Sequence, residues 1–86
     1  MKPKVKKPTQ EEKQQAENWP IWEKEESKFQ WEYSEKETCL ILKGKAVVNC
    51  PEGKVEFTAG DYVVFPQGLK CTWEIKDKIK KHYKFG

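Results

Sequence analysis

From Ser27 onward, apolar and polar residues alternate with a period of two, the spacing that sends side chains to opposite faces of a β-strand. Phe29, Trp31 and Tyr33 alternate with Lys28, Gln30 and Glu32, which predicts a strand over Ser27 to Tyr33. Ser34-Glu35-Lys36 reads as a bend. Glu37 to Leu42 reads as the next strand, with Glu37, Cys39 and Ile41 on one face and Leu40 and Leu42 on the other. An unbroken strand would add Trp31, Tyr33 and Glu35 to the first of these faces. Lys43-Gly44-Lys45 predicts a tight turn, Ala46 to Cys50 a third strand, and Pro51-Glu52-Gly53-Lys54 a hairpin turn into a fourth strand from Val55 to Thr58. After Ala59-Gly60-Asp61, Tyr62-Val63-Val64-Phe65 is a fifth strand of β-branched and aromatic residues, stopped by Pro66-Gln67-Gly68. Lys70 to Ile75 places Cys71, Trp73 and Ile75 on one face. Lys76-Asp77-Lys78 reads as a turn before a last strand from Ile79 to Phe85. Short strands with turn signals every 8–12 residues or so predict an all-β fold, a small antiparallel jelly-roll barrel.

The first 17 residues break this rhythm. They carry no apolar stripe and predict a short polar N-terminal arm, loosely docked on a barrel domain that spans residues 18–86. Within the arm, Thr9 as N-cap and Glu12 at the capping-box position predict one or two helical turns. Trp19-Pro20-Ile21-Trp22 is expected to be extended, because Pro20 restricts Trp19 to β or polyproline geometry. Its two indoles suit an edge strand or a cover over an apolar surface.

Composition narrows the function. Eighty-six residues allow one domain and a modest core. Only 36% of residues are hydrophobic, so the eleven aromatics, each burying about 150–250 Å², must supply much of that core. The net charge of +3 comes entirely from lysines, four of them in the first seven residues, and the chain has no arginine. Lysine lacks the bidentate fork that reads guanine or clamps phosphate, which argues against a nucleic-acid partner. No run approaches the ~20 apolar residues of a membrane span, and no apolar stretch follows the N-terminal lysines as in a secretory signal. Three cysteines without a C-x-x-C pair argue against a disulfide framework. Together these features lead us to expect a cytoplasmic protein with neither nucleic-acid nor membrane partners.

Candidate chemistry starts at Glu37, a carboxylate in phase with an apolar face and costly there unless something pairs with it. Its spacing also carries a resemblance. The small-barrel cupins have a first motif of two His separated by one residue, a Glu after three more and a Gly after six more. Trp31 and Tyr33 stand at the two His positions here, followed at the same spacings by Glu37 and Gly44. The second cupin motif runs Gly, five residues, Pro, one residue, Gly, two residues, His, three residues, Asn. Gly60, Pro66 and Gly68 match it, with Cys71 at the His position and Ile75 at the Asn position. Asn18 to Trp22, Glu37-Thr38-Cys39, Phe65 to Gly68 and Lys81-His82-Tyr83 resemble single-domain cupins of the subgroup called cupin 3 or ureidoglycine aminohydrolase-like. The resemblance covers residues 18–85 and implies the RmlC-like cupin fold and a homodimer. The ammonia-releasing, manganese-dependent ureide chemistry of that label belongs to longer, histidine-containing two-cupin proteins and is not carried over.

Cupin metal sites use three imidazoles and one carboxylate, and every motif histidine is replaced here. Indole nitrogen only donates, so Trp31 is no ligand. The resemblance therefore implies no cofactor, and a barrel whose metal cage has become an aromatic-lined pocket. Its expected lining is Trp31, Tyr33, Glu37, Cys39, Cys71, Trp73 and His82. Such a pocket suits a small, mostly apolar ligand with one polar group. The alternative is an enzyme. Glu37, Cys71 and His82 have the residue types to hold a divalent metal such as zinc, or to act as orienter, thiol nucleophile and base. Against that stands Glu37 as a structural carboxylate paired with His82 or a lysine, and Cys39 and Cys71 as small buried hydrophobes. Cys50, beside Pro51 at a turn, is expected to be incidental. A third possibility is an interaction module built on the basic arm with Trp19 and Trp22.

Overall fold

The computed structural model describes residues 1–86. Seven strands and one short helix follow in order: β1 (Lys4–Lys6), α1 (Gln10–Ala16), β2 (Ile21–Lys24), β3 (Ser27–Glu32), β4 (Glu37–Cys50), β5 (Gly53–Thr58), β6 (Tyr62–Phe65) and β7 (Lys70–Phe85). All strand pairs are antiparallel. The all-β jelly-roll expectation holds, and no helix is long and apolar enough to cross a membrane.

Two long strands organise everything else. β4 and β7 pair with each other from Glu37 opposite Phe85 to Asn49 opposite Thr72. Outside this central pair the two ends differ. The first half of β4 carries β6, and β1 lies beyond it, while the last half of β7 carries β2. The second half of β4 carries β5, and the first half of β7 carries β3. The same two strands thus run through both halves of one continuous seven-stranded sheet, as happens where bulges let a strand bend from one layer into the next.

The bends lie where turns are expected from the sequence. Lys43-Gly44-Lys45 and Lys76-Asp77-Lys78 do not reverse the chain; each sits inside a continuous strand, 14 residues long for β4 and 16 for β7. The register between them slips at Ile41/Lys43, Lys43/Lys45 and Lys45/Ala46, so the two strands corner together. Gly44 makes this possible. Its φ is +95°, and a Cβ there would lie 2.1 Å from the Lys78 carbonyl oxygen. Polar residues and a glycine mark a bend as readily as a reversal, because both need exposed backbone and a positive φ.

The main core lies on the inner face of this sheet: Tyr33, Cys39, Ile41, Ala46, Val48, Phe57, Val63, Phe65, Leu69, Cys71, Trp73, Ile75 and Ile79. The predicted alternation is visible in it, with Cys39 and Ile41 inside while Leu40 faces the other way. Leu40 joins Ala16 and Tyr62 in a second cluster, against which Trp19, Leu42 and Val64 pack. That cluster anchors the N-terminal arm. The capping box forms as expected, with the Glu12 N–H donating to the Thr9 hydroxyl and the Thr9 N–H donating to Glu12 Oε1. Loose docking is not what the structure shows: β1 extends the sheet along β6, Lys7 pairs with Asp61 at 2.8 Å, and Ala16 is fully buried. Main-chain pairing and one alanine leave no apolar stripe to read. The hairpin at Pro51 and Glu52, the strand stop at Pro66 and the edge position of β2 are as expected.

Gly44→Ala should therefore destabilise the protein by about 2–4 kcal/mol in urea unfolding, adding backbone collision to the penalty of a left-handed conformation. Gly60→Ala, at φ +93° but with nothing within 4 Å of its Cβ, should lose only about 1–2 kcal/mol.

Candidate functional site

The bend after β3 turns Tyr33 inward. Its backbone N–H donates to the Leu69 carbonyl and its carbonyl accepts from Gly68, so the segment before β4 is tied to the turn after β6. The phenol stacks on Phe65, centroids 4.9 Å apart. Four residues on, Glu37 opens β4 on the inner face and is almost completely buried. Its partner comes from β7. Cys71, Trp73, Ile75, Ile79 and Lys81 are all buried from one face of that strand, and Lys81 lies opposite Ile41 on β4 and Trp22 on β2.

These side chains form a connected polar chain inside the barrel. Trp73 Nε1 donates to the Tyr33 hydroxyl at 3.3 Å, and the hydroxyl donates to Glu37 Oε1 at 2.9 Å. Lys81 Nζ donates to Glu37 Oε2 at 2.9 Å. Both ion-pair side chains are at most 5% exposed. Around the ammonium stand the rings of Trp22 and Trp73, each centred 4.7 Å away, and Phe65 at 5.9 Å. Ring faces attract a cation most strongly when water is excluded, so the cage supplies part of what the lysine loses in leaving solvent. No buried side-chain nitrogen or oxygen is left without a partner. Burial, followed by the charge of Glu37 and the hydrogen bond to it, pushes the Tyr33 phenol far above its usual range, which keeps it a donor.

Beside this pair opens a cavity of about 490 Å³. Its walls are aromatic, from half-exposed Trp31 at the rim to Trp73, with Glu37 and Lys81 in the lining and Lys24 above the Phe29 ring at 5.2 Å.

Of the pocket expected from the sequence, Trp31, Tyr33, Glu37 and Trp73 line this cavity. Cys39, Cys71 and His82 do not. Cys39 is sealed in the core, where burial pushes its thiol up to about 12. Cys71 lines a separate depression with Cys50, and burial followed by the neighbouring Cys50 pushes it up to about 11. His82 lies opposite Leu40, which faces the second cluster, and its Nδ1 donates to the Trp19 carbonyl at 2.9 Å. Glu37, Cys71 and His82 thus fail to converge, and no group of three His, Cys, Asp or Glu side chains is placed to hold a metal ion. The convergence expected from the sequence is corrected on this point: β7 alternates faces, so Lys81 and His82 cannot share one. A lysine partner for Glu37 is among the expectations, but the sequence does not single out Lys81. The signal was its phase with Ile79 and Trp73, masked by the run of lysines around it.

Residues 11–83 match the EutQ-like cupin domain. The chain belongs to the EutQ-like cupin family. Its fold is shared by a DUF861-family protein of Thermotoga maritima, 45% identical over 98% of this chain and 99% of that one, with a TM-score of 0.92. The EutQ protein of Clostridium difficile aligns with a TM-score of 0.70 at 22% identity, over 76% of this chain and 52% of its own length. A DUF1255 protein of Acidithiobacillus ferrooxidans gives 0.68 at 19% identity, over 72% of this chain and 60% of that one. The chain thus spans about half of EutQ, and at such identities these two matches speak for the fold alone. No protein of curated function matches this cupin.

Removing one partner of the ion pair leaves an uncompensated buried charge. Lys81→Met should lower stability by about 3–5 kcal/mol in urea unfolding, whereas Glu37→Gln/Lys81→Met should recover most of that loss. Burial raises all three thiols, Cys39 and Cys71 the furthest, so these two should alkylate far more slowly than the more exposed Cys50 near neutral pH. The rate at Cys71 should climb with pH until about 11, which peptide mass spectrometry can follow.

Proposed function

We propose that this cupin is a metal-independent binding protein for a small, planar, largely apolar molecule bearing one anionic group. The observation that carries the reading is the aromatic-walled cavity with a buried ion pair in its lining. Its volume of about 490 Å³ falls in the range of small-molecule sites, which pair apolar walls with a few fixed polar groups. Trp31, Phe29 and Tyr83 offer flat surfaces for a ring. Two ammonium groups, Lys24 and Lys81, face one carboxylate, Glu37, so the lining carries one excess positive charge. Lys81 gives Glu37 one of its three N–H groups, and its other donors lie among the rings.

The enzymatic alternatives of metal and thiol chemistry have less to stand on, since their three residues occupy three different places. The ureidoglycine aminohydrolase-like label gains no support from this lining, which contains no imidazole.

Titration with benzoate, naphthoate, benzyl alcohol and benzylamine, read by tryptophan fluorescence, tests the proposal, because Trp22, Trp31 and Trp73 all line the site. The carboxylates should quench saturably and bind about tenfold or more tighter than the alcohol, as a charge-assisted hydrogen bond would give. Trp31→Ala should weaken them by a similar factor. No saturable quenching by any compound, or benzylamine binding as well as benzoate, would overturn the reading.

A further inference from the structure

The second depression, about 640 Å³ in volume, has both Cys50 and Cys71 in its lining, along with Trp31, Asn49, Pro51 and Lys70. The two thiols are related by register. On β4 and β7, Ala46 lies opposite Ile75, Val48 opposite Trp73 and Asn49 opposite Thr72. The pairing ends there, and the same register continued by one step sets Cys50 against Cys71, both of which line the depression. Val48, Trp73, Ala46 and Ile75 are all buried on the inner face, and period two puts Cys50 and Cys71 on that face with them. Cys50 packs against the main core, of which Cys71 is a member. Directly opposed residues of an antiparallel pair have Cα atoms about 4.5–5.5 Å apart, inside the range that a disulfide spans. Both sulfurs are free thiols here, and Cys50 is the more exposed of the two.

We propose that Cys50 and Cys71 are a cross-strand dithiol that closes to a disulfide when a small-molecule disulfide is the oxidant. The Cys50 thiolate attacks one sulfur of the oxidant, forming a mixed disulfide and expelling one small thiolate. The Cys71 sulfur, having given up its proton to solvent, then attacks Cys50 Sγ and expels the second. The protein loses two hydrogens and two electrons, and the oxidant leaves as two thiols. Cys39, sealed in the core away from the depression, takes no part. The bond would tie the far end of β4 to the start of β7 and close a loop holding all of β5 and β6. It would also sit beside Trp31, which lies opposite Cys71 on β3 and lines both this depression and the ligand cavity. Oxidation state would thereby reach the rim of the binding site. The dithiol itself does not depend on the ligand reading.

Incubating the folded protein with oxidised glutathione, then mapping peptides without reduction, tests this directly. The free thiols should fall from three to one, with Cys50 and Cys71 peptides linked within one chain and Cys39 still alkylatable after unfolding. The oxidised form should melt on the order of 10 °C higher than the reduced form, because the closed loop restricts the unfolded chain. Cys50→Ser should abolish both changes, and so should Cys71→Ser. Because either variant alters packing, the Cys39→Ser protein serves as a further control and should still form the bond. Glutathione retained on Cys50 with Cys71 free, or chains joined through Cys50, would overturn the proposal.

Discussion

The pair between Glu37 and Lys81 is the constraint on which the interior is built. Two charges taken out of water lose several kcal/mol of solvation each, and their mutual attraction offsets this only with good geometry and satisfied remaining valences. Here the carboxylate receives one oxygen's bond from Lys81 and the other's from Tyr33, and Tyr33 is held by Trp73. The ammonium is surrounded by ring faces. Tyr33, Phe65 and Trp73 therefore have two tasks, excluding water and orienting or screening the pair. That is how a chain with few hydrophobic residues builds an ordered interior.

Shape follows from the two long strands. If β4 and β7 reversed at their middles, the strands that they carry at either end would not belong to one sheet. Because they corner together at Gly44, one end of the barrel carries β2 and β6 and the other β3 and β5. The ion pair lies in the first half, the Cys50 and Cys71 sulfurs in the second, and Trp31 beside both. The glycine of the first cupin motif thus has a local physical reason in this chain: the carbonyl of Lys78 occupies the space a side chain would need.

The residues at the cupin histidine positions have structural roles of their own. The two positions that hold imidazoles in the first motif are Trp31, half exposed at the rim, and Tyr33, buried on Glu37. The motif glutamate remains, but its partner is an ammonium from β7. The cation beside this carboxylate is part of the chain itself, the Lys81 ammonium, and both side chains are buried.

What the sequence alone determined was local. Alternation set the strands, their inner faces and the place of Glu37 on one of them; turn residues set the Pro51 hairpin and the end of β6, the capping box set the helix, and the motif spacing carried the resemblance to the cupin fold. What only the tertiary structure decided was pairing. Bend and reversal share the same residues, so the continuity of β4 and β7 was hidden, and so was the edge strand that fastens the arm. The partner of Glu37 depended on the phase of β7 beyond its irregular middle, where a one-residue shift exchanges the two faces. Lys81 and His82 are neighbours in sequence, and strand geometry sends one to the carboxylate inside and the other to the Trp19 carbonyl on the opposite side.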